Sequence, residues 1–174
     1  MGFNGIDIIL DNDVMIKHPE MARIGSHVAI DKGFYCTVEL QIGDYVHIAP
    51  YCTVIGGKKS KLVMEDFSGF SAGCRIVCAS DDYLGSGMTN PIVPLEFRGL
   101  TLYTTVTIKK HAVLGTGCVV HPGVTIGEGA VVGSMSLVTK DLEPWSVYMG
   151  IPAKKVKDRN KDIILDFEKK LRNG

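Results

Sequence analysis

The 174-residue sequence predicts an all-β protein in which the chain winds into a parallel β-helix, interrupted by a protruding loop and followed by a C-terminal α-helix. Three observations predict this fold class. An aliphatic residue recurs at every sixth position, the register of this repeat breaks twice, and the last segment has the spacing of a helix. A period of six fits neither the 3.6-residue period of an α-helix nor the alternation of a single strand, and hexapeptide repetition is typical of a parallel β-helix.

The hexapeptide register runs through residues 24–54 and again from residue 102 onward. Three repeats return the chain to its starting side, so one coil takes about 18 residues, and successive coils stack at roughly 4.8 Å. The aliphatic residue of each repeat is expected to point inward. The expected interior residues are Ile24, Ile30, Ile42, Ile48, Val54, Leu114, Val120, Ile126 and Val132, with Leu102 at the start of the second stretch.

The register breaks at two places. Extra residues enter at 56–61, after which the repeat resumes in a shifted register at Met64, Phe70 and Ile76. The second break is longer and spans residues 79–101. We therefore expect one domain, residues 1–174, in which a β-helix of about residues 20–150 carries a loop at about 79–105. Loops held by rigid scaffolds often carry functional sites, and a neutral excursion is the alternative.

The C-terminal segment predicts an amphipathic helix over about residues 158–172. Its apolar residues Ile163, Ile164, Phe167 and Leu171 are one, three and four positions apart, among Lys, Asp and Glu. Such a helix is expected to cap the open end of the solenoid. The first twenty residues are less regular and could cap the opposite end.

Composition and charge restrict the class of function. The formal net charge is zero, so general binding to nucleic acid or to membrane surfaces is not indicated. No apolar run is long enough to cross a bilayer, and the N-terminus lacks a basic-then-apolar signal, so we expect a cytoplasmic protein without membrane insertion. The five cysteines have neither redox nor zinc spacing, and we expect buried thiols and no metal site.

Three segments of the C-terminal half carry a family resemblance: residues 121–127 (HPGVTIG), 138–141 (VTKD) and 150–154 (GIPAK). Together they resemble the left-handed β-helix acetyltransferases, and the resemblance covers nearly the whole chain, residues 24–159. It implies a left-handed coil, acetyl-CoA as co-substrate and a homotrimer of prism-shaped subunits. It also implies that acetyl-CoA lies in a groove between adjacent subunits, near the long loop.

The resemblance further implies which residues contact the coenzyme. Thr139 and Lys140 are expected beside it, and Lys154 and Lys157 near its 3′-phosphate, since cations form charge-assisted hydrogen bonds to phosphate. Backbone and hydroxyl contacts along the pantetheine arm are expected from Gly115, Thr116, Gly133 and Ser134. The alternative for the two C-terminal lysines is a solvated basic stretch before a helix.

Four further segments resemble the branch of this family that acetylates nucleotide-linked amino sugars, such as dTDP-4-amino-4,6-dideoxyglucose. They are residues 70–73 (FSAG), 80–83 (SDDY), 89–91 (TNP) and 143–146 (EPWS). This branch implies a role in the biosynthesis of surface polysaccharides such as O-antigen or capsule. The residues expected to contact the acceptor are Ser71, His47, Tyr83 and Asn90.

The base of the reaction is expected in the long loop. Galactoside-type O-acetyltransferases carry a Gly-His pair there, and its histidine is their general base, whereas this chain has Asp81 and Asp82. A sugar hydroxyl needs such a base, but an amine with a pKa of about 8 is partly neutral at pH 7, and a carboxylate can orient it and accept its proton. The aspartates therefore favour an amine acceptor, with turn formation as their alternative role. Because neighbouring carboxylates repel, one of them is expected to have a raised pKa.

His111 is a further candidate for a catalytic role, because it follows two lysines at the start of a C-terminal coil. A solvated turn position is its alternative. Two other functions stay open at this point: O-acetylation of a sugar or xenobiotic, and a non-catalytic β-helix subunit for binding or assembly.

Overall fold

The computed structural model describes residues 2–3 and 5–173, and in it the chain winds through about seven coils of a left-handed parallel β-helix. Each complete coil contributes one short strand to each of three parallel sheets, so the solenoid is a three-sided prism. The first four coils contain β1 (Gly2–Phe3), β2 (Ile8–Leu10), β3 (Met15–Ile16), β4 (Ala22–Ile24), β5 (Val28–Ile30), β6 (Tyr35–Cys36), β7 (Glu39–Ile42), β8 (His47–Ile48), β9 (Thr53–Ile55), β10 (Lys61–Met64), β11 (Gly69–Phe70) and β12 (Arg75–Val77).

The chain then leaves the solenoid and returns to it. The loop contains β13 (Ala79–Asp81), a short 3-10 helix (Leu95–Phe97) and β14 (Thr101–Tyr103). The remaining coils contain β15 (Thr105–Ile108), β16 (Val113–Leu114), β17 (Val119–Val120), β18 (Thr125–Ile126), β19 (Val131–Val132), β20 (Leu137–Val138) and β21 (Ser146–Met149). The chain ends with β22 (Lys154–Asp158), which pairs antiparallel with β21, and with helix α1 (Asp162–Asn173).

The three sheets define three edges of the prism, which we use below to locate residues. Sheet 1 has the order β1-β4-β7-β10-β15-β18, sheet 2 the order β2-β5-β8-β11-β16-β19-β21-β22, and sheet 3 the order β3-β6-β9-β12-β17-β20. The chain turns from sheet 1 to sheet 2 at the 1–2 edge, from sheet 2 to sheet 3 at the 2–3 edge, and from sheet 3 back to sheet 1 at the 3–1 edge.

The interior is the stack of aliphatic residues that the six-residue repeat predicts. All nine expected interior residues of the regular repeats are 0–5% exposed, and so are Met64, Phe70 and Ile76 of the shifted register. Leu102 is the exception, because it lies on β14 in the loop, where it is 57% exposed. The early residues also differ from the expectation of a cap: β2 and β3 pair with the next coil in the same sheets, so the solenoid already includes them.

The predicted protruding loop is present and leaves the solenoid at the 3–1 edge. Its two arms form an antiparallel ribbon in which Ala79 pairs with Tyr103 and Asp81 with Thr101. The ribbon is anchored at its base, where the amide and the hydroxyl of Thr104 both donate to the Cys78 carbonyl, at 2.9 and 2.8 Å. The loop is therefore a structured arm with a fixed root.

A column of aromatic rings covers the 1–2 edge. The rings of His27, Tyr45, Phe67, His111 and Trp145 follow one another with centroid separations of 4.6, 4.9, 5.0 and 6.0 Å. All five residues adopt left-handed backbone conformations with φ between 50° and 60°, at a cost of roughly 1–2 kcal/mol each. Ring stacking offsets part of this cost.

Helix α1 lies along this column, and the prediction that it caps the open end with its apolar face is wrong. Glu168 faces the solenoid and is 8% exposed, whereas Ile163, Phe167 and Leu171 are 62%, 63% and 53% exposed. The helix is held by polar contacts because the edge beneath it presents charged groups: Arg172 reaches Asp66 at 2.6 Å. The helix begins at Asp162, because the chain first forms β22.

Candidate active site

A row of small residues runs along the 2–3 edge through three successive coils. Ser71, Gly115 and Gly133 each follow a strand of sheet 2, and their amides donate to the next coil, at 2.8, 2.7 and 2.8 Å. A Cβ on Gly115 would lie 2.7 Å from the Ser134 amide nitrogen, so this position has no room for a side chain. Thr116 and Ser134 are exposed beside the row. The row therefore forms a shallow shelf bordered by hydroxyl groups.

The C-terminal end of the solenoid carries a small cavity of about 350 Å³. Lys140 and Lys154 line it together with Tyr148 and Lys155, so the structure brings together two of the cations expected near the coenzyme. Lys155 is engaged in ion pairs with Glu143 and Asp158, at 3.4 and 2.9 Å. The other two residues expected near the coenzyme at this end, Thr139 and Lys157, are exposed.

A larger cavity of about 630 Å³ lies between the root of the long loop and the turn that precedes β10. We call it the loop cavity. Asp81 lines it, and one oxygen of this carboxylate accepts a hydrogen bond from the Thr101 hydroxyl at 3.1 Å. Tyr83 also lines the cavity, whereas Asn90 does not: its side-chain oxygen accepts from the Ile92 amide at 2.9 Å, within the loop.

The two neighbouring aspartates have different surroundings. The Asp82 carboxylate closes a turn by accepting from the amides of Leu84 and Ser86, at 2.7 and 3.2 Å. Hydrogen bonds from Ser86, and from the Leu84 amide, hold the pKa of Asp82 below its ordinary value. The raised pKa expected for one aspartate is therefore not found at Asp82, and the alternative role in a turn describes this residue.

His111 lies on a different edge of the prism from the loop cavity, in the aromatic column of the 1–2 edge. It is buried, its ring stacks on Phe67, and its Nε2 lies 2.8 Å from the Glu168 carboxylate. The structure thus gives His111 a place in anchoring α1 and does not bring it to Asp81 or to the row of small residues.

His47 lies on the outer face of sheet 2, one coil before Ser71. Its Nε2 is 2.9 Å from the Asp31 carboxylate, and its side chain is 59% exposed. The two groups can share a proton. Sequence reasoning proposed His47 but missed Asp31, which carries no local signal in the sequence.

Ser71 and Asp81 do not meet within one chain. Ser71 lies at the 2–3 edge, strand β12 of sheet 3 follows it, and Asp81 lies beyond the 3–1 edge. The row of small residues and the loop cavity are therefore on different edges of the same prism. Sequence reasoning also missed Lys58, Lys59 and Arg98, which line the loop cavity. The signal for the two lysines was the first break in the register, which places them beside the loop.

The comparisons with known proteins agree with this geometry. Residues 105–140 match the family model described as bacterial transferase hexapeptide (six repeats). The dTDP-4-amino-4,6-dideoxy-D-glucose acyltransferase of Escherichia coli is 37% identical over 171 residues, which cover 94% of this chain and 86% of the relative. The chain therefore belongs to the hexapeptide-repeat acyltransferases.

A second relative and a solved structure extend this result. The galactoside O-acetyltransferase of Escherichia coli K12 is 40% identical over 147 residues, covering 83% of this chain and 61% of the relative. AntD, an N-acyltransferase from Bacillus cereus in complex with dTDP and 3-hydroxybutyryl-CoA, superposes with a TM-score of 0.90 at 31% identity, covering 98% of this chain and 90% of AntD. A serine variant of AntD has been solved with dTDP-4-amino-4,6-dideoxyglucose and coenzyme A, and variants of an aspartate ten positions later with dTDP and coenzyme A.

Proposed function

We propose that the protein is an N-acetyltransferase that moves the acetyl group of acetyl-CoA to the amine of a nucleotide-linked amino sugar, of the dTDP-4-amino-4,6-dideoxyglucose type. The observation that carries the proposal is Asp81, a carboxylate on the wall of the loop cavity. By the family resemblance, this is the place of the general-base histidine of galactoside-type O-acetyltransferases. The AntD variants support it, because Ser71 and Asp81 are the one serine–aspartate pair in this sequence with the spacing of the two altered AntD residues.

An amine acceptor needs less activation by the protein than a hydroxyl acceptor does. An amine with a pKa near 8 is partly neutral at pH 7 and attacks the thioester carbonyl carbon directly. As the C–N bond forms, the nitrogen becomes positively charged, and the Asp81 carboxylate stabilises this charge and accepts the proton. The C–S bond then breaks, the coenzyme leaves as a thiolate, and the proton passes to its sulfur. Ser71 contacts the acceptor at the end of the row of small residues.

We propose that the coenzyme lies along the row of small residues and reaches the cavity at the C-terminal end. From Ser71 to the last coil there are three coil spacings, or roughly 15 Å at the spacing of paired strands. In this arrangement the pantetheine arm lies along Gly115, Thr116, Gly133 and Ser134, and its phosphates lie near Thr139, Lys140, Lys154 and Lys157. The absence of a Cβ at the two glycines lets the arm approach the backbone.

The working form that we propose is a homotrimer. Because Ser71 and Asp81 lie on different edges of one prism, the acetyl donor on one subunit meets the loop cavity of the next. We further propose a cytoplasmic enzyme that supplies acetylated sugars for surface polysaccharides such as O-antigen or capsule. The buried free thiols of all five cysteines suit a reducing compartment.

O-acetylation is the second candidate, and the His47–Asp31 pair favours it. A histidine oriented by a carboxylate is the usual base for a hydroxyl acceptor, and the similarity to a galactoside O-acetyltransferase points the same way. The pair lies on sheet 2, and the loop cavity contains neither residue.

An enzyme assay distinguishes the two candidates. The purified protein is incubated with acetyl-CoA and matched amine or hydroxyl acceptors, and release of the coenzyme thiol is measured. The proposal expects turnover with dTDP-4-amino-4,6-dideoxyglucose, while dTDP-glucose and simple galactosides give background rates. Turnover with a hydroxyl acceptor and none with the amine would establish the second candidate instead. Comparing acetyl-CoA with 3-hydroxybutyryl-CoA in the same assay identifies the preferred acyl donor.

A further inference from the structure

The loop cavity has an uneven distribution of charge. Lys58, Lys59 and Arg98 line it, and Asp81 is the carboxylate that the described residues contribute to its wall. Lys58 lies 3.6 Å from Glu20 on the surface, whereas the ion pairs formed by residues 5–173 include neither Lys59 nor Arg98. An anionic ligand would therefore find two cations, Lys59 and Arg98, that form no ion pair within the described part of the chain.

Arg98 carries the clearest sign of a missing partner. Its Nε is buried and has no hydrogen-bond partner, and its Nη1 makes one long contact of 3.4 Å with the Pro91 carbonyl. A buried guanidinium nitrogen without an acceptor is costly, because the group has lost its water without replacement. Phosphate oxygens match the fork of guanidinium donors, and two donors of one arginine often bind one phosphate.

Aromatic residues stand beside these cations. The Lys59 ammonium lies 5.4 Å from the centre of the Tyr103 ring, which holds the lysine over one wall of the cavity. Tyr83 is 78% exposed and lines the same cavity, so its ring is available for contact with a flat ligand. Stacking on an aromatic ring is the common way in which proteins hold an unpaired nucleobase.

We propose that the loop cavity binds the nucleoside diphosphate part of the acceptor, with Lys59 and Arg98 on the diphosphate and Tyr83 and Tyr103 on the base. This assignment rests on the proposed function, because it takes the reactive amine to lie at Asp81. The arrangement suits a ligand that is negative at one end and carries an amine at the other. A sugar without a nucleotide would leave the cations unpartnered.

The test uses dTDP itself as the probe, titrated into the native protein and into variants by calorimetry. Lys59→Met and Arg98→Met keep most of the side-chain length and remove the charge. Each should weaken dTDP binding about 10- to 100-fold, the loss typical of a hydrogen bond to a charged group. Acetyl-CoA affinity should be unchanged, since neither residue is among those expected to contact the coenzyme. Lys161→Met, at an exposed lysine before α1, is the matched control and should keep dTDP affinity within twofold.

A second set of variants distinguishes contacts with the phosphates from contacts with the base. Tyr83→Leu should weaken dTDP binding several-fold while leaving inorganic pyrophosphate binding unchanged. Lys59→Arg should retain most of the affinity, because it keeps the charge. Native dTDP affinity in both Lys59→Met and Arg98→Met would overturn the assignment. Because Lys59 is exposed, its variant should fold normally.

The same experiment distinguishes this inference from the proposed function. If the variants acetylate the amino sugar with an unchanged KM, the nucleotide lies elsewhere and the proposed reaction stands. If dTDP binds through these residues but no amino sugar accepts an acetyl group, the binding site stands and the proposed reaction fails.

Discussion

Asp81 and Asp82 are adjacent in sequence, but their carboxylates have different hydrogen-bond partners. Asp82 is occupied by two amides of its own turn, and its lowered pKa keeps it ionised and bonded in that turn. The Asp81 carboxylate accepts a hydrogen bond from the Thr101 hydroxyl and lines the loop cavity. Of the two carboxylates, Asp81 is therefore the one available to a substrate amine.

Asp81→Asn should lower kcat/KM for the amino sugar by about 10²–10⁴, the usual contribution of a positioned acid or base, while acetyl-CoA affinity stays native. Asp82→Asn is the matched control. The Leu84 and Ser86 amides bond to different oxygens of Asp82, so the asparagine oxygen keeps the shorter bond, from Leu84, and loses the longer one, from Ser86. Because Asp82 serves this turn, turnover should stay within a few-fold of native. Steady-state kinetics on both variants checks the assignment, and near-native turnover by Asp81→Asn would show that solvent or the leaving thiolate takes the proton.

Lys140→Glu tests whether the coenzyme phosphates bind at the small cavity at the C-terminal end of the solenoid. The lysine is exposed, so its replacement leaves no void in the core. Reversal of the charge beside the coenzyme phosphates should cost about 1–3 kcal/mol of binding, a loss of roughly 10- to 100-fold in affinity for acetyl-CoA. Calorimetry measures this loss, and thermal unfolding should show a native midpoint. Unchanged affinity would place the phosphates elsewhere.

At the scale of elements, the C-terminal helix is fastened by charge. Glu168 is contacted by Lys110 at 2.9 Å, by His111 at 2.8 Å and by Arg172 at 2.8 Å. Burial by itself would raise the pKa of Glu168, but the hydrogen bonds from these three partners outweigh it and lower the pKa to about 2. The ionised carboxylate is thus the form that holds the helix in place.

Glu168→Gln should loosen α1 from the 1–2 edge and lower the stability of the protein by about 1–3 kcal/mol, because Lys110 loses its carboxylate and Arg172 keeps only Asp66. For a chain of this size such a loss lowers the unfolding midpoint by roughly 2–10 °C. Asp166→Asn is the control on the same helix, since Asp166 pairs with Lys170 on the exposed side and contributes little. Equal midpoints for the two variants would contradict the role of Glu168.

The lowered pKa of Glu168 also predicts how helix docking depends on pH. A carboxyl group with a folded-state pKa below its ordinary value of 4.5 stabilises the folded state fully above about pH 4.5, and this contribution is lost as the pH falls towards about 2. Hydrogen exchange in residues 162–173 should therefore accelerate over this interval in the native protein. Glu168→Gln should lack this step. A native protein whose helix stays equally protected to pH 2 would contradict the assignment.

The elements differ in how far the sequence could predict them. The coils were predictable because the aliphatic residue at every sixth position of the regular repeats is buried, as at Ile48 and Val120. The docking face of α1 was not, because the apolar residues that suggest burial, such as Phe167, are exposed while Glu168 is buried. The two aspartates likewise share a residue type and a neighbourhood, and only the turn at Leu84 and Ser86 separates their roles.

At the scale of the whole molecule, both the loop and helix α1 expose large apolar side chains. Seven leucine, isoleucine, methionine and phenylalanine side chains of the loop are more than half exposed, with Leu84 at 98%; the others are Met88, Ile92, Leu95, Phe97, Leu100 and Leu102. The exposed row of Ile163, Phe167 and Leu171 on α1 adds to this surface. Exposed apolar surface, where it is contiguous, marks protein interfaces. These exposed side chains agree with a proposed trimer in which each loop packs on a neighbouring prism.

The proposed trimer predicts that each active site contains residues from two subunits. Sedimentation should give about three times the chain mass of 18.9 kDa. If each site takes Ser71 from one subunit and Asp81 from the next, Ser71→Leu and Asp81→Asn should each be inactive alone but complement each other when mixed. Random assembly of equal amounts leaves about a quarter of the sites with both native residues, so activity should return to about a quarter of the native value. Mixing folded trimers without exchange of subunits is the control and should restore none. If co-assembled variants stay inactive while each has a native unfolding midpoint, both residues serve the same chain's site, and the shared site is ruled out.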